Sequence, residues 1–80
     1  MNVIEFNKFL QDNYIRCNIN NPPSIGDCVY YPISESVIYD DPYIIEGILI
    51  DIVNDDFIVN INRIGIFRDK LEKFYTKKNN

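Results

Sequence analysis

One stretch of the chain, residues 45–67, constrains the fold more than any other. It reads IEGILIDIVNDDFIVNINRIGIF, with apolar runs on both sides of residues 54–56, NDD. Asn and Asp favour turns, because their side chains hydrogen-bond nearby backbone groups. Residues 57–62 alternate with period two, which is typical of a half-buried strand. The stretch therefore predicts two strands joined by a turn, with a third short strand after Arg63.

The two strands differ in their apolar pattern. Residues 43–53 are apolar on both parities, which indicates a central strand covered at least in part on both faces. Gly47 predicts a bulge or sharp bend, a device that lets a small sheet curl. On the following strand, the inward residues are predicted to be Phe57, Val59 and Ile61.

The N-terminal half predicts a helix and then another strand. Apolar residues recur at helical steps over residues 2–17, and Asn2 with Glu5 resembles a capping box. This helix is expected to cover one mouth of a small barrel, with partner binding as the alternative. Two consecutive prolines make residues 18–24 a linker, and residues 25–33 the first strand.

The C-terminal part predicts a short element and a loose end. Residues 68–74 are expected to form one helical turn or a final strand, and residues 76–80 a frayed tail. Eighty residues make a single domain, 1–80. The chain has 15 Ile and no Ala, a composition that favours strands over helices. The fold class is therefore predicted to be mainly β.

Four segments together resemble an SH3-like small barrel of the KOW and Tudor kind. They are GDCVYY at 26–31, EGILIDI at 46–52, FIVNI at 57–61 and FRDKLEKF at 67–74. The resemblance implies an antiparallel barrel of about five short strands over residues 25–75, with the N-terminal helix outside it. The layout is also similar to short uncharacterised proteins of low-GC bacteria and their phages. It lacks the basic loops of RNA-binding KOW modules.

The inventory of catalytic groups is short. There is no His, and Cys17 and Cys28 stand in no CxxC spacing and are expected to be free thiols. No Gly-rich phosphate loop is present. The acidic pairs 40–41 and 55–56 lack EF-hand spacing and are typical of turns, so no metal site is predicted. We therefore expect a protein that is not an enzyme and needs no cofactor.

The location follows from what the sequence lacks. No apolar run is long enough for a membrane helix, and residues 1–10 have no basic lead followed by a sustained apolar run. These observations predict a cytoplasmic protein with no membrane association, in the host cytoplasm if a phage encodes it.

Charge is distributed unevenly along the chain. Residues 17–62 carry eight acids and no bases, whereas residues 63–80 carry six bases and two acids. A one-sided field steers encounters with charged surfaces. We therefore expect an acidic interaction protein that binds and inhibits a basic, nucleic-acid-handling host protein, as an anti-CRISPR protein or nucleic-acid mimic does. The predicted acidic face consists of Glu35, Asp40, Asp41, Glu46, Asp51, Asp55 and Asp56.

Three alternatives stay open. In the first, the acids serve only solubility, with the basic tail folded back over them. A nucleic-acid-binding module would use a basic strip with stacking rings, although the net charge of −4 opposes phosphate binding. A homodimer or other homo-oligomeric structural component would use the exposed Ile58, Tyr30 and the helix. The basic strip consists of Arg63, Arg68, Lys70, Lys73, Tyr75 and Lys77.

Overall fold

The structure is a computed structural model that describes residues 2–34 and 41–78. Within these ranges, six strands form one open antiparallel sheet in the order β1-β6-β2-β3-β4-β5, accompanied by one N-terminal helix. The predicted mainly β class is confirmed, with one strand more than the five or so expected. The elements are α1 (Val3–Asn13), β1 (Tyr14–Arg16), β2 (Cys28–Ile33), β3 (Tyr43–Val53), β4 (Asp56–Ile61), β5 (Gly65–Lys70), a 3₁₀ turn (Leu71–Lys73) and β6 (Tyr75–Lys77).

The β3–β4 hairpin follows the sequence prediction closely. β3 spans the predicted residues 43–53, and β4 begins one residue before the predicted start. Val53 pairs with Asp56, so Asn54 and Asp55 form the turn. Asn54 has a φ of 56°, a left-handed conformation that Asn tolerates better than most residues.

A bulge changes the parity of β3 in mid-strand. Leu49 pairs with Val59 and Ile52 with Phe57, so three steps on β3 oppose two on β4. Leu49 is fully buried, and Ile52 packs against the same core. The extra residue between them reverses which parity of the strand faces inward. The apolar residues on both parities are explained by this switch.

β3 is central in the sheet, as predicted, and its outer side is covered only in part, since Ile48 and Ile50 are each 41% exposed. The bulge expected at Gly47 is wrong. Gly47 does not form the bulge and pairs regularly with Val29. A Cβ added at Gly47 would lie 2.4 Å from Cγ1 of Val59, so glycine is required there by the close approach of β4.

Helix α1 is shorter than predicted. The Asn2 side chain accepts a hydrogen bond of 2.8 Å from the Glu5 amide, which is the cap expected from the sequence. The helix ends at Asn13 rather than at residue 17, and the following residues 14–16 become β1. Cross-strand pairing in β1 supplies backbone hydrogen bonds that replace those of a continued helix.

The partner of β1 is the segment predicted to be partly frayed. Tyr75–Lys77 forms β6, which pairs with β1 and, through Tyr75, with Tyr30 of β2. The amide of Lys78 also donates to the carbonyl oxygen of Asn13 at 3.0 Å. Residues 76–78 are therefore tied to the start of the chain.

The main core lies on the inner side of the sheet. The predicted inward residues Phe57, Val59 and Ile61 are confirmed, with exposures of 0%, 1% and 6%. The apolar side of α1 is buried by other residues of the same chain, since Phe6 and Leu10 are 3% and 6% exposed. The remaining buried members of the core are Cys17, Val29, Leu49, Leu71 and Phe74.

The sheet curls strongly around this core. The rings of Tyr31 on β2 and Phe67 on β5 have centroids 4.9 Å apart, although β3 and β4 lie between their strands. In a flat sheet, strands separated by two others lie about 14 Å apart. The contact therefore requires curvature, and Phe74 fills the space beside both rings.

Candidate functional site

The structure divides the predicted acidic face. Glu46 and Asp51 lie exposed on β3, and Asp55 is exposed in the β3–β4 turn. Asp41 is exposed just before β3. Glu35 and Asp40 lie outside the described residues.

Asp56 is neutralised by two bases of the predicted basic strip. Its carboxylate accepts a hydrogen bond of 3.0 Å from Nε of Arg68, and Nζ of Lys70 lies 3.1 Å from Oδ1. Hydrogen bonds from Lys70 and Arg68 lower the pKa of Asp56, and the same contact raises the pKa of Lys70. All three residues lie on β4 and β5, where the register sets Asp56 opposite Lys70.

Asp69, which the sequence did not single out, is the second neutralised carboxylate. The Tyr31 hydroxyl donates to its Oδ2 at 2.5 Å, and Nζ of Lys73 lies 3.8 Å away. Burial opposes ionisation of Asp69, but the bonds from Tyr31 and from the Lys70 amide, with the Lys73 charge, lower its pKa on balance.

The predicted basic strip is spread over separate parts of the sheet. Arg63 is exposed in the β4–β5 turn, with a φ of 68°. Tyr75 and Lys77 lie on β6, where the Tyr75 hydroxyl accepts hydrogen bonds from Arg16 and Nζ of Lys77 lies 5.7 Å from the centroid of the Tyr30 ring. Because Arg68, Lys70 and Lys73 already contact carboxylates, much of the strip's positive charge is compensated within the chain.

Two exposed acids that are distant in the sequence meet at one depression. The Leu71 amide donates to the Asp55 carbonyl oxygen at 2.8 Å and ties the 3₁₀ turn to the hairpin turn. This bond brings Asp55 and Glu72 to the rim of a depression of about 340 Å³. The sequence analysis did not assign Glu72 to the acidic face, because this residue lies among the C-terminal bases. The depression is lined by Arg16, Cys17, Asn18, Ile19, Asp55, Leu71 and Glu72.

This depression combines charge with apolar surface. Asp55 and Glu72 are exposed and form no ion pair within the described part of the chain, although the Lys70 charge is near enough to interact with both. Arg16 also lines the depression, and its guanidinium donates to the Tyr75 hydroxyl. Leu71 and Cys17 are buried beneath them, and Ile19 is 67% exposed beside them. Lys and Arg combine an apolar stem with a charged head, so they match a site of this composition.

The reactive groups are few among residues 2–34 and 41–78. Both cysteines are free; Cys17 is buried and Cys28 is exposed. Burial raises the pKa of the Cys17 thiol to about 11, so this thiol is inert near neutral pH. In the same ranges, no three acidic or thiol side chains come together as a metal site would require.

The outer surface of β3, β4 and β5 is apolar in its centre. Of the residues that the sequence analysis expected to be exposed for a homodimer, Ile58 belongs to this surface, whereas Tyr30 is buried at 9% exposure. Ile48 and Ile50 on β3 and Ile66 on β5 are exposed, and Ile58 on β4 is half-buried between them. We call this surface the outer face. The signal was present in the β4 alternation, but the bulge in β3 hid which of its residues point outward.

Comparison with known proteins adds no relationship to these observations. No helix in the described residues is long and apolar enough to cross a membrane. No protein-family model, curated protein or solved structure matches the chain significantly.

Proposed function

We propose that this protein is a non-enzymatic interaction protein that docks on a basic surface of another protein through Asp55 and Glu72. The observation that carries the proposal is the exposure of these two carboxylates at one apolar depression, without an ion pair among the described residues. The net charge of −4 adds long-range attraction for a basic partner.

The partner is best described by its chemistry. It presents Lys or Arg side chains whose stems pack on Ile19 while their charged heads pair with the carboxylates. Channels that bind nucleic acids are basic surfaces of this kind, so we propose that the protein inhibits a nucleic-acid-handling enzyme. We propose that a phage encodes the protein and that the enzyme belongs to a host defence system.

The curvature of the sheet supports a related proposal about the fold. We infer that the six strands form a small barrel of the SH3-like kind, with β2 and β5 brought together on the inner side. The contact of Tyr31 with Phe67 and Asp69 supports this interpretation. The fold by itself assigns no partner, because such barrels serve many functions.

Direct binding of nucleic acid has less support. Arg68 and Lys70 contact Asp56, and Lys73 contacts Asp69, so a phosphate would have to compete with carboxylates for these bases. A gel-shift assay with single- and double-stranded DNA and RNA at low salt separates the two functions. A shift by the isolated protein at low micromolar concentration would favour nucleic-acid binding.

The docking proposal is tested by capture from a lysate of a low-GC bacterium, with the full chain immobilised. The double variant Asp55→Asn with Glu72→Gln is compared with Glu5→Gln with Asp12→Asn, which removes the same charge from α1. We expect a captured protein to be lost with the first variant and with rising salt, and to be retained by the second. An exposed ion pair contributes about 0.2–1 kcal/mol, so the first variant weakens binding by up to about 30-fold.

Function is then measured on the captured protein. We expect the wild-type chain to displace a nucleic acid from that protein, and the Asp55→Asn, Glu72→Gln variant to displace it poorly. Equal capture by both double variants, or capture without displacement, would contradict the proposal.

A further inference from the structure

The strand register arranges the outer face in three rows. Across β3, β4 and β5, Ile48 pairs with Asn60, and Asn60 pairs with Ile66. This row is apolar at both ends, and Ile48 and Ile66 are 41% and 65% exposed.

The two further rows carry the charges. In the second row, Ile58 pairs with Asp51 on one side and with Arg68 on the other. In the third, Asp56 pairs with Val53 and with Lys70. Glu46 and Asp51 make the β3 side of the outer face acidic. Arg68 and Lys70 lie on its β5 side, where they share the one carboxylate of Asp56 and leave an excess of positive charge.

A surface with this polarity is complementary to itself. We infer that two copies of the chain associate through their outer faces, about a twofold axis that lies in the interface and runs parallel to β4. Such an axis sets β3 of one copy against β5 of the other. Ile48 then faces Ile66 of the second copy, Asp51 faces Arg68, and Ile58 faces its own counterpart.

The contacts already made within one chain leave room for these new ones. Oδ1 of Asp51 accepts a hydrogen bond of 2.8 Å from the Ile52 amide, and its second oxygen has no bond to a described residue on this exposed side chain. Arg68 contacts Asp56 through Nε, and its side chain is 51% exposed, so its terminal nitrogens reach a second carboxylate. The proposed dimer adds partners to both groups without breaking an existing contact.

A second copy fits this face better than an unrelated partner does. A uniformly basic or acidic partner would meet like charge on one side of the face, which disfavours association. The second copy meets opposite charge on both sides of the axis, where Asp51 faces Arg68. In the middle, Asn60, Ile58 and Asp56 face their own counterparts, and each Asp56 is already compensated by Arg68 and Lys70 of its own chain. Three strands about 4.8 Å apart and six residues at about 3.3 Å each give a footprint of at most roughly 300 Å², because the curled sheet makes the outer face convex. This is small for a stable interface, so we expect a reversible dimer at micromolar concentrations.

The first test is the mass of the full chain in solution, measured by sedimentation equilibrium from low to high micromolar concentration. We expect the wild-type mass to rise with concentration towards twice 9.5 kDa. Ile66→Lys should weaken the dimer about tenfold or more, because it places a charge against Ile48 of the second copy. The matched control is Ile4→Lys on α1, where Ile4 is 81% exposed and outside the proposed interface.

The second test is a charge exchange between two copies. Asp51→Arg and Arg68→Asp should each weaken self-association, because each puts like charges opposite one another. An equimolar mixture of the two variants should associate again, since each changed residue then faces an opposite charge. If Arg68→Asp does not fold beside Asp56, the Ile66→Lys measurement decides the matter alone.

The outcomes are distinguishable from those of the docking proposal, because Asp55 and Glu72 lie outside the three rows. A wild-type chain that stays monomeric up to high micromolar concentration would overturn the dimer. So would a dimer that Ile66→Lys and Ile4→Lys affect equally.

Discussion

The hydroxyl of Tyr31 on β2 donates a hydrogen bond of 2.5 Å to Oδ2 of Asp69 on β5, two strands that are not neighbours in the sheet. The same tyrosine ring packs edge-on against Phe67 and Phe74, at centroid distances of 4.9 and 5.1 Å. Tyr31 therefore links the middle of the sheet to its β5 edge by both an apolar and a polar contact. This link holds the curvature that encloses the core.

Removing the Tyr31 hydroxyl should destabilise the fold measurably. Tyr31→Phe keeps the ring contacts and deletes a hydrogen bond to a charged acceptor, which typically contributes about 1.5–3 kcal/mol. Because the pair is only partly buried, we expect a loss of about 1–2 kcal/mol in the free energy of unfolding, measured by urea denaturation. Tyr14→Phe is the control, since the Tyr14 ring packs on Tyr30 but no described hydrogen bond is lost with its hydroxyl. Equal effects of the two substitutions would contradict the role given to the Tyr31–Asp69 bond.

The same pair predicts a loss of stability at alkaline pH. Burial, followed by the hydrogen bond to Asp69, raises the pKa of Tyr31 from 10.0 to about 12. Between these values the unfolded chain has released the tyrosine proton while the folded chain retains it. Raising the pH therefore favours unfolding, and the contribution of Tyr31 is lost as the pH passes from 10 to 12.

The measurement compares urea midpoints of the wild type and Tyr31→Phe across that alkaline range. The wild type should lose stability more steeply, because phenylalanine has no proton to release. Parallel curves for the two proteins would show that Tyr31 titrates normally in the folded state.

Gly47 should tolerate no side chain while Val59 is present. A Cβ at this position would lie 2.4 Å from Cγ1 of Val59, 3.1 Å from the Asn60 carbonyl oxygen and 3.2 Å from Cγ1 of Ile61. Val59 is 1% exposed, so its methyl group is held within the packed core. We expect Gly47→Ala to reduce the free energy of unfolding by about 1–3 kcal/mol, as overpacking does.

A double-mutant cycle separates this clash from a general effect on β3. Gly47→Ala should be less harmful in a Val59→Ala background, because the atom it meets has been removed. Full additivity of the two changes would mean that the close approach of β3 and β4 does not limit residue 47.

The two cysteines should react at very different rates. Cys28 is exposed on β2, whereas Cys17 is 4% exposed and its pKa is raised to about 11 by burial. A disulfide reagent such as DTNB should therefore modify one thiol per native chain rapidly and the second only after unfolding. Cys28→Ser should abolish the fast reaction, and a persistent fast thiol in that variant would contradict the burial of Cys17.

Local patterns in the sequence were sufficient for the hairpin and its inward side. The alternation over residues 57–62 predicted that Phe57, Val59 and Ile61 are buried, because side chains on a strand alternate between its faces whatever it pairs with. The Asn2 cap is equally local, as donor and acceptor are three residues apart. The position of the bulge in β3 could not be predicted from the sequence. Apolar residues occur on both parities of this strand, so the pattern does not show at which residue the inward parity changes.

The candidate site was predicted only in part. Asp55 was recognised because it stands in a turn of the acidic region, but Glu72 was not, because its neighbours in the sequence are bases. Arg68 and Lys70 were assigned to a basic strip, whereas the register of β4 and β5 places them around Asp56. Charge counts along a sequence do not show which ions pair, since pairing depends on distance in space.

By itself, the sequence determined a mainly β chain with a capped N-terminal helix, a hairpin turning within residues 54–56, and the inward residues of β4. Only the tertiary structure decided that residues 14–16 leave the helix to pair with residues 75–77, that Tyr31 reaches Asp69, and that Asp55 meets Glu72. The physical reason is the range of the forces involved. Turn and strand preferences act over a few residues, whereas these contacts join parts of the chain that meet only when the sheet has curled around its core.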